Sequence, residues 1–337
     1  MSFGVAAKCA IVLAGLTVSA SSFSFGIFAN TGLAGGARWD AGARQYSGLE
    51  RSLQGGIRFS LQGGSYQAFR DQFTWSGGTP TLPVFQQSVD RAFDQWQRVD
   101  PSTGLGTTLS FTTDFGTVTD PTEIGGVRFG SEIDIMAATS ATTWNFGSSG
   151  LQGEAWFNAF FENVTLTSGT TNYAAAAISG ADIWMNSNSQ ALWTLPIFEA
   201  VLTHEIGHAL GFGDVDLNSG PNGNYIDDNY NGANSATALA TLTNSFAGLI
   251  NPLNPSLSPL GIYTVANGNP GFDTPGVEIL MESQMSGFFF GNPNMMQNDE
   301  FAGRQFLYPV MPVPEPATIA VLGLGGLALL RRRCERA

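Results

Sequence analysis

Thr203-His204-Glu205-Ile206-Gly207-His208-Ala209-Leu210-Gly211-Phe212-Gly213-Asp214 is the stretch on which the rest of the chain turns. Its first half belongs to a helix expected over about Leu195–Leu210, with Thr194 as N-cap. A spacing of four puts both imidazoles on one helical face, where they can share one metal ion. Glu205, one position on, can reach a water held there. These are the only two histidines among 337 residues. None is spent elsewhere, which weighs against two unrelated core or surface histidines.

Two imidazoles give two ligands, whereas a catalytic zinc usually takes three from the protein and keeps a place for water. No histidine remains, so the third ligand has to be an acid. Asp214, Asp216, Asp227 and Asp228 are the nearby candidates. The full run resembles the metzincin signature, in which a glycine ends the helix and a third ligand follows three residues later. Gly211 supplies the positive φ for such a turn. The resemblance assigns the third position to Asp214, as in the snapalysin-type variant, where matrixin-like members carry His. It also implies zinc as cofactor and Glu205 as the catalytic base of peptide hydrolysis.

Outward from the motif, Gly56–Gln62 alternates apolar and polar residues, as do Ser131–Met136 and, less fully, Thr107–Phe111 and Ala181–Met185. All four read as strands. Phe85, Val89, Ala92, Phe93, Trp96 and Val99 recur at helical spacing before Asp100-Pro101, so 84–99 reads as an amphipathic helix facing the core. Further helices are expected near Ser235–Ile250 and after Asn298. Residues 137–177 show no clear period. The order of elements is similar to that of a matrixin catalytic domain. The expected fold is therefore α+β: a twisted mixed sheet, an active-site helix and a backing helix, with a large insertion over about 215–280. The resemblance spans roughly 51–309, after a leader arm at 21–50. It implies that Glu278-Ile279-Leu280-Met281 is the Met-turn beneath the metal, with Met285 as the other candidate, and that strand 181–185 receives substrate by strand addition. Two departures stand out. Asp214 and Met281 are 67 positions apart, and the matrixin cysteine switch is missing.

Asp216, Asn218, Asp227 and Asp228 place oxygen ligands before glycines and suggest a structural calcium ion. The spacing departs from the EF-hand loop, and a solvated polar loop is the competing reading. Glu154, Glu162 and Glu199 belong to no motif and read as surface or capping residues.

The two ends read as addresses. Met1–Ala20 has Lys8, an apolar run Cys9–Leu16 and then Val18-Ser19-Ala20, the order of a secretory signal peptide. At the other end, Val313-Pro314-Glu315-Pro316 precedes an apolar run, Ala317–Leu330, and then Arg331-Arg332-Arg333. Residues 310–337 thus resemble the PEP-CTERM sorting tail of Gram-negative bacteria. The resemblance implies export, recognition by an exosortase, cleavage near Pro-Glu-Pro, and release to the cell surface or its extracellular matrix. Fourteen helical residues span about 21 Å, short of a hydrocarbon core of about 30 Å. Anchoring would be transient, with the arginines snorkelling to the cytoplasmic side.

Removing both ends takes Lys8 and four arginines from 14 basic side chains and Glu335 from 27 acidic ones. Nine against 26 leaves about −17 and no lysine, which argues against a nucleic-acid partner. Cys9 and Cys334, the only cysteines, lie in the removed ends, so no disulfide supports the mature part. Glycine is abundant at 42 residues, yet 25 phenylalanines separate this composition from that of a disordered chain. The leading expectation is a secreted zinc endopeptidase acting on protein or peptide. A non-catalytic metal-binding surface or matrix protein, and a zinc hydrolase of another bond, are the alternatives. The base beside the metal favours the peptidase.

Overall fold

The computed structural model describes residues 9–12, 25–28, 36–101, 104, 106–138, 146, 151–214, 223–226, 262–264, 279–282, 285 and 287–310. Alternation along its central strands turns one set of side chains inward. Ile57, Phe59 and Leu61, Ile133 and Ile135, Ala155 and Phe157, and Ala181, Ile183 and Met185 all join one buried core. Across the sheet the strands run Cys9–Val12, Leu151–Val164, Tyr173–Asn186, Ile133–Ala138, Ile57–Leu61 and Phe111–Thr113. The last four are mutually parallel. Leu151–Val164 runs antiparallel to Tyr173–Asn186, with Phe157 opposite Ala181.

The backing helix is Leu82–Gln97, with Pro83 in its first turn. Phe93 stacks on Phe59 at 4.0 Å between centroids, and the Trp96 indole Nε1–H donates to the Thr203 carbonyl at 2.9 Å. That hydrogen bond ties the helix to the motif helix, Leu195–Ala209, whose N-cap Thr194 accepts from the Ile197 amide. Val99 does not join the apolar stripe. The helix stops at Gln97, Arg98 is extended, and Val99 is 58% exposed. Asp100, directly ahead of Pro101, is biased away from helical geometry, so the helix ends before it.

Further expectations are revised. The strand expected at Thr107–Phe111 falls at Phe111–Thr113, because pairing with Ile57–Leu61 sets its register. Residues 137–177 hold one whole 14-residue strand and the first five residues of a second. Their period was hidden because Ala174–Ala177 has no polar face to alternate, and because an irregularity between Asn158 and Ala159 shifts the register. Strand 181–185 cannot receive an added chain, since it is flanked by Ile133–Ala138 on one side and Leu151–Val164 on the other. The outer edge belongs to Leu151–Val164. Cys9–Val12, within the segment expected to be removed on export, adds antiparallel to that edge with Cys9 opposite Ala155.

The boundary of the leader arm also moves. Phe25–Phe28 pairs with Phe212–Gly213 and with Gly223–Ile226. Ala37–Arg38 adds to Ala176-Ala177, and Ala37, Arg38 and Trp39 are buried. The Arg38 guanidinium donates to the Phe306 and Leu307 carbonyls at the end of the closing helix, Asn298–Leu307. The charged head stays buried here because it meets acceptors that the helix end leaves open.

The sheet's other face is polar and buried. Asp134 accepts from Ser60 and from the Asp120 and Ser131 amides. Arg58 holds Glu132, and Arg128 pairs with Asp182. Burial raises Asp134 to about 6 and Asp182 to about 7, outweighing those partners. Glu199 is buried and bound by Arg91 and Ser88, and Glu154 is buried as well, so only Glu162 keeps the surface position expected of all three. Of the expected insertion, 223–226, 262–264 and 279–280 are described. The helix near 235–250 and the apolar segment 317–330 lie outside the described residues. Among the described residues, no helix is long and apolar enough to cross a membrane.

Candidate metal centre

His204 and His208 face the same way from the motif helix, as a spacing of four requires. The chain then leaves the helix at Leu210 and turns at Gly211, whose φ of +100° is a conformation that side-chain-bearing residues rarely adopt. Space demands glycine there too, because a Cβ would come within 2.1 Å of the Ala37 carbonyl oxygen. The turn returns Asp214 to the imidazoles. Its Oδ1 lies 3.2 Å from Nε2 of each histidine, and the two Nε2 atoms are 2.8 Å apart. All three residues are buried.

Each ring is oriented by its other nitrogen. His204 Nδ1 donates to the Leu280 carbonyl at 2.7 Å and His208 Nδ1 to the Phe212 carbonyl at 2.9 Å. With Nδ1 carrying the proton, Nε2 is left as the ligating atom. Two such nitrogens and a carboxylate, converging in one buried cluster, are of the kind and spacing that can hold a metal ion. Ligands on a tetrahedral zinc at about 2.0–2.1 Å lie roughly 3.3 Å apart, close to the two nitrogen–oxygen separations. Among the described residues this is the one group of three acidic, histidine or cysteine side chains so clustered. Burial alone would raise the Asp214 carboxyl, but when His208 and His204 are protonated they outweigh burial and lower it to about 2.

Glu205 is fully buried next to the cluster, and the Ala155 amide is the one donor beside its carboxylate among the described residues, outside ordinary hydrogen-bond geometry. Burial pushes its carboxyl well above the usual range, and the charges of Asp214 and Glu154 add to this, while the Ala155 amide on the edge strand opposes it. Met281 lies against the motif helix from below. A Cβ on Gly207 would come within 2.5 Å of the Met281 sulfur and 2.7 Å of the Trp96 ring. Met281 thus packs on the motif helix at Gly207, and Met285 is buried in the same core. Glu300 on the closing helix accepts from the Met281 amide and from the Gln297 amide.

The structure thus brings together His204, Glu205, His208, Asp214 and Met281. Asp216, Asn218, Asp227 and Asp228 lie outside the described residues. Sequence reasoning missed Glu300 and the Leu280 and Phe212 carbonyls. A backbone acceptor leaves no residue-type signal, and Glu300 lies 86 positions beyond Asp214.

Residues 312–333 match the PEP-CTERM protein-sorting motif. The chain therefore carries a signal for export and sorting to the bacterial cell surface, with processing by exosortase machinery. No curated protein matches the chain significantly.

Proposed function

We propose that this chain is an exported, zinc-dependent endopeptidase of the metzincin type. The observation that carries it is the convergence of His204 Nε2, His208 Nε2 and Asp214 Oδ1 within 2.8–3.2 Å beside a buried Glu205. Two imidazoles and one carboxylate suit zinc and leave its fourth position open. A bound zinc ion supplies Lewis acidity, acidifying water and polarising a scissile carbonyl.

The protein's own groups do the rest. Nδ1 of each histidine keeps its proton on a backbone carbonyl, so both rings present Nε2. Glu205 takes the proton of the attacking water and passes it to the leaving amine. A buried carboxylate with only the Ala155 amide beside it is costly to keep, and a binding scaffold has no use for one; its presence favours turnover over metal-dependent adhesion. Extended substrate adds antiparallel to the edge at Leu151–Ala155, the stretch that Cys9–Val12 lines and whose Ala155 amide faces Glu205. Cleavage near Pro314-Glu315-Pro316 then frees the domain into the surface matrix of a Gram-negative bacterium.

Removing the metal with a chelator should abolish cleavage of unfolded protein. Glu205→Gln should keep stoichiometric zinc while losing about 10²–10⁴ in rate, and cleavage at the wild-type rate by that variant would overturn the assignment of the base. Asp214→Ala should lose zinc and Asp216→Ala should not; the reverse pattern would move the third ligand to Asp216.

A further inference from the structure

The peptide from Ala209 to Gly213 joins the histidine helix to Asp214, and its carbonyls are the kind that a helix end leaves open. The Trp39 indole Nε1–H donates to Ala209 O at 3.0 Å, and the Tyr308 hydroxyl donates to Leu210 O at 2.7 Å. His208 Nδ1 takes Phe212 O. The Trp39 amide in turn donates to the Tyr308 hydroxyl oxygen at 3.2 Å, so Trp39, Tyr308 and Leu210 form one hydrogen-bonded chain. Trp39 and Tyr308 are both buried. They come from residues 269 positions apart and meet at this turn. The Ala37 carbonyl fills the space beside Gly211, and Phe25–Phe28 pairs with Phe212–Gly213. Every residue of the turn is therefore held from outside by the N-terminal segment or by the end of the closing helix.

We propose that Trp39 and Tyr308 are positioning residues for the metal centre: their N–H and O–H groups set the 209–213 peptide, and through it the Asp214 carboxylate and the Phe212 carbonyl that orients His208. The proposal rests on the metal reading. Neither side chain touches a ligating atom. Core filling alone would be served by phenylalanine at both places, with no polar atom to satisfy. The two polar atoms are instead spent on successive carbonyls of the peptide that delivers the third ligand. Partners of metal ligands at this remove commonly change affinity 10–100-fold when lost.

The test uses chain purified after export, stripped of metal and titrated with Zn(II) against a chelating indicator, and separately loaded with Co(II) for its visible spectrum. Trp39→Phe and Tyr308→Phe should each weaken Zn(II) binding about tenfold or more and shift the Co(II) bands. Trp193→Phe loses the same kind of buried indole hydrogen bond, to the Asn186 carbonyl at 2.6 Å, away from the turn, and should change neither. Tyr308→Phe removes a single oxygen, so it keeps the test open if Trp39→Phe fails to fold. Affinities and spectra of both variants that match Trp193→Phe would overturn the proposal. A wild-type chain that takes up neither metal would overturn the metal reading itself, and the proposal with it.

Discussion

Glu300→Gln is a nearly isosteric change with a large expected effect. The carboxylate is buried, with one oxygen accepting from the Met281 amide at 3.2 Å and the other from the Gln297 amide at 2.8 Å. Burial raises its pKa, and those amides, with that of Leu280, favour its charged form. Glutamine has one acceptor oxygen, so whichever way its amide is turned, an N–H donor faces an N–H donor. A lost hydrogen bond to a charged group is worth about 1.5–3 kcal/mol, and an unsatisfied buried donor costs about 1–3 kcal/mol. Relief of the carboxylate's burial penalty offsets part of this, leaving about 2–4 kcal/mol. At roughly 2–4 °C per kcal/mol for a domain of this size, Tm should fall by about 5–15 °C. The loss should reach the metal as well, because the peptide that Glu300 holds carries the Leu280 carbonyl, the partner of His204. Urea unfolding with and without zinc measures both effects. Unfolding within about 0.5 kcal/mol of the parent, with unchanged zinc affinity, would refute the reasoning.

Gly207→Ala should destabilise by about 1–3 kcal/mol, the usual cost of overpacking, since the new Cβ meets the Met281 sulfur and a Trp96 ring pinned through its indole nitrogen; denaturant midpoints equal to the parent would show that Met281 does not lie there. Asp134 and Asp182 have folded pKa values near 6 and 7, raised above their unfolded values by burial. The stability they contribute is complete below about pH 4 and is lost as pH rises through 6–7, so the chain should unfold more readily at pH 8 than at pH 5. Asp182→Asn should flatten that slope, and an unchanged slope would count against the shift.

The motif helix, its cap and its turn were legible because each depends on local chemistry: Thr194 caps, the four-residue spacing aligns the histidines, and Gly211 turns. The backing helix was legible for the same reason, up to the residues ahead of Pro101. What was hidden depends on partners distant in sequence. Ala174–Ala177 reads as nothing in particular until both its faces are seen to be covered. Glu132 and Asp134 look like the wet face of a strand, yet Arg58, Arg128 and the Asp120 amide cover that face. Residues 37–39 carry no periodicity, and their place under Gly211 follows from long-range pairing alone. The charge pattern of 313–333 needs no folding partner, so it could be read directly.

The bonds from Trp39 to Tyr308 and from Arg38 to Leu307 join groups 269 residues apart. A chain that crosses a membrane N-terminus first delivers His204, Glu205, His208 and Asp214 well before it delivers Tyr308. Until the closing helix emerges, Leu210 O has no hydroxyl to meet and the Leu280–Met281 peptide has no Glu300. Contacts of such long range form late in folding. Closure of the turn thus comes last: a chain stalled partway through export carries His204, His208 and Asp214 without the bonds from Trp39 and Tyr308 that hold the 209–213 peptide.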